Sequence, residues 1–275
     1  MQTSGVESSV NYLEPMDELP VFYSEKYQQN NLKLAAHTIC VHDARAIQQR
    51  LSLDREGFRL VDHPSAVKSF RDSEEVERVY RPEIERLMAD LTGARKVLVT
   101  GPVLRWGERS QDSGTLLNSR PARFVHVDYS RKSFEDFARQ HLANAGVRDS
   151  EYWLTGRFAA FNIWRVLSPP PQDVPLGVCE APSARLEDAI TGIAVIDPPG
   201  GSELRFESSL YRFNPDHRWY YFSNMRPEEA LVFKAFDSDR SAVQGCPHSA
   251  FNDPTCPADV EPRASVEIRA YVYFG

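Results

Sequence analysis

Three short motifs carry side chains whose types and spacing could do chemistry together. The first is His126-Val127-Asp128. On a strand, residues i and i+2 project from one face about 7 Å apart along the backbone, so an imidazole and a carboxylate placed there can converge on one metal ion. The second is His248, within Cys246-Pro247-His248-Ser249 and 120 residues beyond Asp128. Two His and one carboxylate form a facial set that leaves three coordination positions open, as a non-haem Fe(II) oxygenase needs. The third is Arg263-Ala264-Ser265, 15 residues beyond His248. An Arg and a hydroxyl two apart on a strand can hold a small dicarboxylate, the guanidinium binding it through two parallel hydrogen bonds.

Each motif alone has a plainer explanation. With seven His and 39 acidic residues, about one His-x-Asp/Glu arises by chance. His248 alone reads as a loop or core histidine. Arg263, Ser265, Glu267 and Arg269 share one face of a terminal strand, which by itself reads as a solvated charged face. Cys246, His248 and Cys256 lack the paired spacing of structural zinc sites.

Positioning these groups falls to elements that the patterning lays out. Residues 1–20 show little periodicity and read as a flexible N-terminal arm. LKLAAHTICV (32–41) and GFRLV (57–61) read as strands. Residues 72–91 carry Val76, Val79, Ile84, Leu87, Met88 and Leu91 at helical spacing; Pro82 inside predicts a kink or two abutting helices, and Gly93 a C-cap. KVLVTGPVLRW (96–106) turns to a strand pattern, followed by a polar stretch at 108–120. FVHVDY (124–129) alternates with period two, and 133–146 reads as a helix. Beyond residue 152, six short strands separated by Pro, Gly, Asn and Asp predict an antiparallel sandwich or barrel. The expectation is one domain over 21–275, with helical support at 65–92 and a β core from about 96 to 275.

The 275 residues hold 32 Lys+Arg against 39 Asp+Glu, a net charge of −7, and 41% hydrophobic residues, enough apolar material for a sizeable core. The acidic balance argues against a nucleic-acid surface. No apolar run reaches the ~18 residues of a spanning helix, so no membrane partner is expected. The N-terminus lacks the basic and apolar regions of a secretory signal, and Cys40, Cys179, Cys246 and Cys256 form no CxxC pair, which reads as a reduced, cytoplasmic protein.

Taken in order, His-x-Asp, a distal His, then Arg-x-Ser in a strand-rich C-terminal half resembles the Fe(II)/2-oxoglutarate-dependent oxygenases. More narrowly, residues 55–275 resemble the hydroxylase/desaturase family that includes the cephamycin 7α-hydroxylase subunit, the aspirochlorine-pathway hydroxylase and fungal gibberellin desaturase. The resemblance rests on EGFRLVDH (56–63), PEIERLMADLTGARKV (82–97), RFVHVDYS (123–130), FNIWRVLSPPPQDVPLGVCEA (161–181), WYYFSNMRPEEALVFKAFDSD (219–239), PHSAFNDP and PRASVEIRAYVYF. One departure is Val166, where the family usually has Pro after the Trp-Arg pair.

The resemblance implies a mainly β fold with flanking helices, a double-stranded β-helix (jelly roll, cupin-like). It implies His126, Asp128 and His248 as iron ligands, Arg263 and Ser265 as the hold on 2-oxoglutarate, and O2 as the oxidant. The implied reaction is hydroxylation, desaturation or oxidative cyclisation of a small-molecule secondary metabolite, with release of succinate and CO2. Arg165 is expected to contact a substrate or cosubstrate carboxylate or else to pair with Asp237; Trp164, Asn162 and Tyr221 are further candidates for substrate contact, and Tyr129 for the rim. The competing classes are an iron oxygenase that does not use 2-oxoglutarate and a cupin-like barrel that binds a small ligand without catalysis.

Overall fold

The computed structural model describes residues 4–106, 117–119, 121–198 and 200–275. Their strands are β1 (Gly5–Leu13), β2 (Val21–Tyr23), β3 (Leu34–Asp43), β4 (Phe58–Asp62), β5 (Lys96–Val99), β6 (Val103–Trp106), β7 (Leu117–Ser119), β8 (His126–Val127), β9 (Phe158–Val166), β10 (Leu176–Cys179), β11 (Ala189–Ile196), β12 (Leu204–Tyr211), β13 (Trp219–Tyr221), β14 (Glu229–Asp237), β15 (His248–Ala250) and β16 (Ala264–Tyr273). The helices are α1 (Ser73–Glu75), α2 (Arg81–Thr92), α3 (Arg131–Asn144) and α4 (Ser150–Thr155). Among the described residues one sheet runs β1-β3-β13-β10-β15-β8-β12-β11-β2 and the other β4-β14-β9-β16-β6-β7, with β5 also paired to β16. The two sheets form the expected jelly roll. No helix among the described residues is long and apolar enough to cross a membrane. Most of the polar stretch 108–120 lies outside the described residues.

Burial explains the layering. Every residue of β9 and β14 is buried, because both faces of the second sheet are covered. On its outer face Ile163, Val232, Val266 and Ile268 pack against Tyr80, Ile84 and Met88. On its inner face Trp164, Leu231 and Phe233 meet Val178 and Phe222 from the other sheet. The helix opens with the Asp72 carboxylate accepting from the Glu74 and Glu75 amides. Ahead of Pro82 the turn widens into a π segment, Val76–Tyr80, in which the Arg81 amide reaches back to the Val76 carbonyl. A Pro within the helix cannot donate to the preceding turn, so the ladder shifts there and the expected break takes this form. Gly93, at φ 68°, closes the helix in the left-handed region.

The N-terminus departs from expectation. Residues 5–13 are not a flexible arm: β1 pairs along its whole length with β3, from Gly5 opposite His42 to Leu13 opposite Leu34. Val6, Val10 and Tyr12 are buried, and the Tyr12 hydroxyl accepts from Trp219 Nε1 at 2.9 Å and lies 2.9 Å from His217 Nδ1. Val21–Tyr23 then lies parallel to β11 at the opposite edge. The β core therefore includes residues 5–43 rather than beginning near 96. Tyr12→Phe should lower unfolding free energy by about 1–3 kcal/mol in urea titration, because it strips a buried indole N–H of its partner; an unchanged midpoint would mean that β1 does not contribute to the fold's stability.

Candidate metal and cosubstrate site

His126 lies on β8 and His248 on β15, and the two residues face each other directly in the antiparallel register. Their ring centroids are 4.3 Å apart. Asp128 follows where the chain leaves β8, with Oδ1 3.8 Å from His126 Nε2. Among the described residues, His126, Asp128 and His248 form the group able to hold a metal ion, their ligand atoms all within 4.8 Å of one another.

Hydrogen bonding fixes which nitrogen of each ring is available. His126 Nδ1 lies 2.9 Å from the Phe124 carbonyl and His248 Nδ1 3.2 Å from the Cys246 carbonyl. A carbonyl only accepts, so each Nδ1 must carry the proton and each Nε2 keeps a lone pair for a metal. Burial, then the neighbouring His248, pushes His126 down to about 4, and burial also lowers His248, so both rings are biased toward the neutral form that can offer a lone pair to a metal. Burial alone would raise the Asp128 carboxyl, but the Arg269 guanidinium and the two imidazoles outweigh it and hold it well below the carboxylate range.

Asp128 is held from behind by two residues. Arg269 Nε donates to Oδ2 at 2.9 Å and its Nη2 to Oδ1 at 3.1 Å, while Asn162 Nδ2 donates to Oδ2 at 2.5 Å. Arg269 Nη2 also donates to Glu267 Oε1 at 2.6 Å. The charged face of β16 is thus turned inward, not solvated: Arg263, Ser265 and Glu267 are buried.

Arg263 and Ser265 show what this face is built to receive. Arg263 is 2% exposed, yet its Nε and Nη1 have no hydrogen-bond partner, and neither has Ser265 Oγ. Burial, then Arg105, pushes Arg263 down to about 9, a cost that a bound anion would remove. The guanidinium rests 5.5 Å over the Trp164 ring. Orphaned buried donors of this kind fit a carboxylate, so the residues present suit 2-oxoglutarate beside the imidazole pair.

A cavity of about 940 Å³ opens onto the site and is lined in part by Arg105, Arg123, His126, Asp128, Arg263 and Arg269. Phe22, Tyr23, Phe124, Tyr129, Phe137 and Phe206 supply aromatic wall. Tyr129 therefore lines the cavity, as expected of a rim residue.

Four expectations for substrate contact are corrected. Arg165 does not line the cavity; its guanidinium donates to the Pro227 and His63 carbonyls at 2.6 and 2.7 Å and lies beside Tyr80. Nor does it pair with Asp237, which is held by Arg157 and Lys234. Strand alternation is the reason, since Arg165 points opposite to Asn162 and Trp164 on β9. Asn162 supports Asp128 rather than a substrate. Trp164 underlies Arg263 within the core, and Tyr221 packs edge-on against Phe251 outside the cavity. Arg269 and Glu267 had only a shared strand face to mark them; the walls from β2 and β12 had no motif, and only tertiary packing brings Phe22, Tyr23 and Phe206 together.

Two imidazoles and a carboxylate converging beside a cavity are the donor set that a non-haem Fe(II) oxygenase uses. Comparison with known proteins bears this out. A family model described as an oxidoreductase/YMDC permease-like domain matches residues 10–273. The hydroxylase/desaturase efuI of Hormonema carpetanum is 29% identical over 296 residues, covering 100% of this chain and 97% of the relative. The Fe(II)/2-oxoglutarate-dependent dioxygenase nvfI of Aspergillus novofumigatus is 29% identical over 252 residues, covering 90% and 87%. A solved structure of the iron and alpha-ketoglutarate-dependent endoperoxidase NvfI superposes with a TM-score of 0.86 at 25% identity, covering 100% of this chain and 99% of that one. The chain belongs to this family, the hydroxylase/desaturase group of Fe(II)/2-oxoglutarate-dependent dioxygenases.

Arg165→Met should cost at least about 2 kcal/mol of stability by orphaning buried carbonyls, while leaving 2-oxoglutarate binding unchanged. Urea denaturation and a ligand titration check the two halves separately; a weakened 2-oxoglutarate titration would return Arg165 to the site.

Proposed function

We propose that His126, Asp128 and His248 hold Fe(II), that Arg263 with Ser265 anchors the distal carboxylate of 2-oxoglutarate, and that the adjoining cavity accepts a small, largely apolar, ring-bearing secondary metabolite. The observation that carries the reading is the convergence of the three ligand atoms within 4.8 Å, with His126 and Asp128 lining the cavity. The substrate class follows from the aromatic wall, where ring faces supply apolar area and geometric preference rather than charge.

When bound, Fe(II) supplies the oxidation of an unactivated C–H bond by O2, coupled to decarboxylation of 2-oxoglutarate to succinate and CO2. The protein's contribution is placement. The Phe124 and Cys246 carbonyls hold the two rings with Nε2 inward. Arg263 offers Nε and Nη1 to one carboxylate, and Ser265 adds a hydroxyl donor to the same end. Phe124, Phe137 and Phe206 exclude water and orient the substrate against His126 and Asp128. Because a misplacement of about 1 Å changes rates by orders of magnitude, the same site can serve hydroxylation, desaturation or cyclisation according to which hydrogen the wall presents.

The test is anaerobic reconstitution with Fe(II) followed by 2-oxoglutarate, watching for the weak visible charge-transfer band. The band should appear in the native protein, vanish in His248→Ala, and require roughly ten- to hundredfold more 2-oxoglutarate in Arg263→Ala, as expected for loss of a charged hydrogen-bond partner. Bound iron without a band would point to an oxygenase independent of 2-oxoglutarate, and failure to bind iron to a ligand-binding barrel.

A further inference from the structure

A carboxylate has about four lone-pair sites, two on each oxygen, and the structure accounts for three of them at Asp128. Oδ2 accepts from both Arg269 Nε and Asn162 Nδ2, so both of its sites are taken. Oδ1 accepts from Arg269 Nη2, which leaves one site, on the oxygen 3.8 Å from His126 Nε2. Arg269 is itself held: Nη2 spends its second proton on the buried Glu267, and its backbone amide donates to Thr100 Oγ1 at 3.3 Å. The fork is therefore held by protein groups on both sides, Asp128 on one and Glu267 on the other.

We infer that Arg269 is a positioning residue that makes Asp128 a one-oxygen ligand, occupying the second carboxylate oxygen so that it cannot chelate the metal and consume a position that 2-oxoglutarate needs. The inference rests on the iron and 2-oxoglutarate reading above and adds a role to a residue that acts through Asp128. Cosubstrate binding through two oxygens requires two adjacent open positions, and a carboxylate free to swing would close one of them. Asn162 acts in the same direction with one hydrogen bond rather than two. Glu267 holds the guanidinium in place by pairing with the Nη2 proton that Asp128 does not use.

The experiment compares native protein with Arg269→Gln, Arg269→Lys and Asn162→Ala. Each is loaded anaerobically with Co(II) for magnetic circular dichroism, which reads coordination number, and separately with Fe(II) for titration with 2-oxoglutarate. Arg269→Gln should still bind one metal, show an altered coordination number before 2-oxoglutarate is added, and shift the titration midpoint upward by about tenfold, the scale of lost support around a metal ligand. Arg269→Lys should recover part of the shift, and Asn162→Ala should move it in the same direction by less. Unchanged coordination and midpoint in Arg269→Gln, accompanied only by a lower Tm, would overturn the inference and leave Arg269 a structural ion pair. Should Arg269→Gln fail to fold, Arg269→Lys decides, because an ammonium keeps the charge but loses the fork: an altered coordination number and a raised midpoint support the positioning role, and an unchanged spectrum and midpoint overturn it. A native protein that binds metal but gives no band with 2-oxoglutarate would fail the parent reading instead, so the two failures are distinct.

Discussion

His126 and His248 face each other because β8, only two residues long, is wedged between β15 and β12, and the rest of the site is hung on that pairing. A strand so short has little cohesion of its own. Its neighbours supply it: Ser208 Oγ donates to the Val127 carbonyl, Ser209 Oγ to the Tyr129 carbonyl, and the Tyr211 amide to the Val125 carbonyl. From the other direction β1 reaches across the segment. The Val125 amide donates to the Asn11 carbonyl, and Asn11 Nδ2 to the Arg123 carbonyl. The N-terminal strand thus buttresses the His126–Asp128 segment directly, which explains why it is paired along its full length.

The last strand shows how one element serves both core and site. On β16, Val266, Ile268, Ala270 and Val272 belong to the cluster beneath the helical layer. The alternate positions Ser265, Glu267 and Arg269, with Arg263 just ahead of the strand, take the opposite face, and Arg263 and Arg269 line the cavity. Burying that many polar and charged groups is costly unless each is matched. Arg269 is matched by Asp128 and Glu267. Arg263 is only partly matched, through its backbone amide to Asp173 Oδ1 and its guanidinium over Trp164. The mismatch sits where a dianionic cosubstrate would supply the missing acceptor.

The clustering of His126, Asp128 and His248 was legible in the sequence because His-x-Asp and a distal His are defined by residue type and chain order, both of which survive folding unchanged. The fold class was legible for a similar reason, since strand-length runs broken by turn residues leave a sandwich or barrel as the main solutions. Arg165 shows the opposite case. Period-two alternation turns it away from Asn162 and Trp164, and its guanidinium is spent on the Pro227 and His63 carbonyls, partners that no local pattern marks. The N-terminal strand escaped because Ser8 and Ser9 dilute its alternation, so that Val6, Val10 and Tyr12 signal burial only once β3 lies beside them. Arg269 and Glu267 could not be separated from a solvated face, because a charged pair reads the same whether water or a carboxylate faces it.

The distribution of chemistry over the fold follows from these constraints. The groups proposed for metal and cosubstrate lie on β8, β15 and β16 or one residue beyond their ends, between other strands of their sheets, where register fixes side-chain direction. Much of the aromatic wall comes from β2, β12 and the middle of α3: Phe22 and Tyr23, Phe206, and Phe137. β2 is the edge of its sheet and pairs with β11 over only three residues. Substitution there alters the shape of the cavity without disturbing the register of β8 against β15. A scaffold divided in this way lets the shape of the cavity vary while the pairing that brings His126 and His248 together stays fixed.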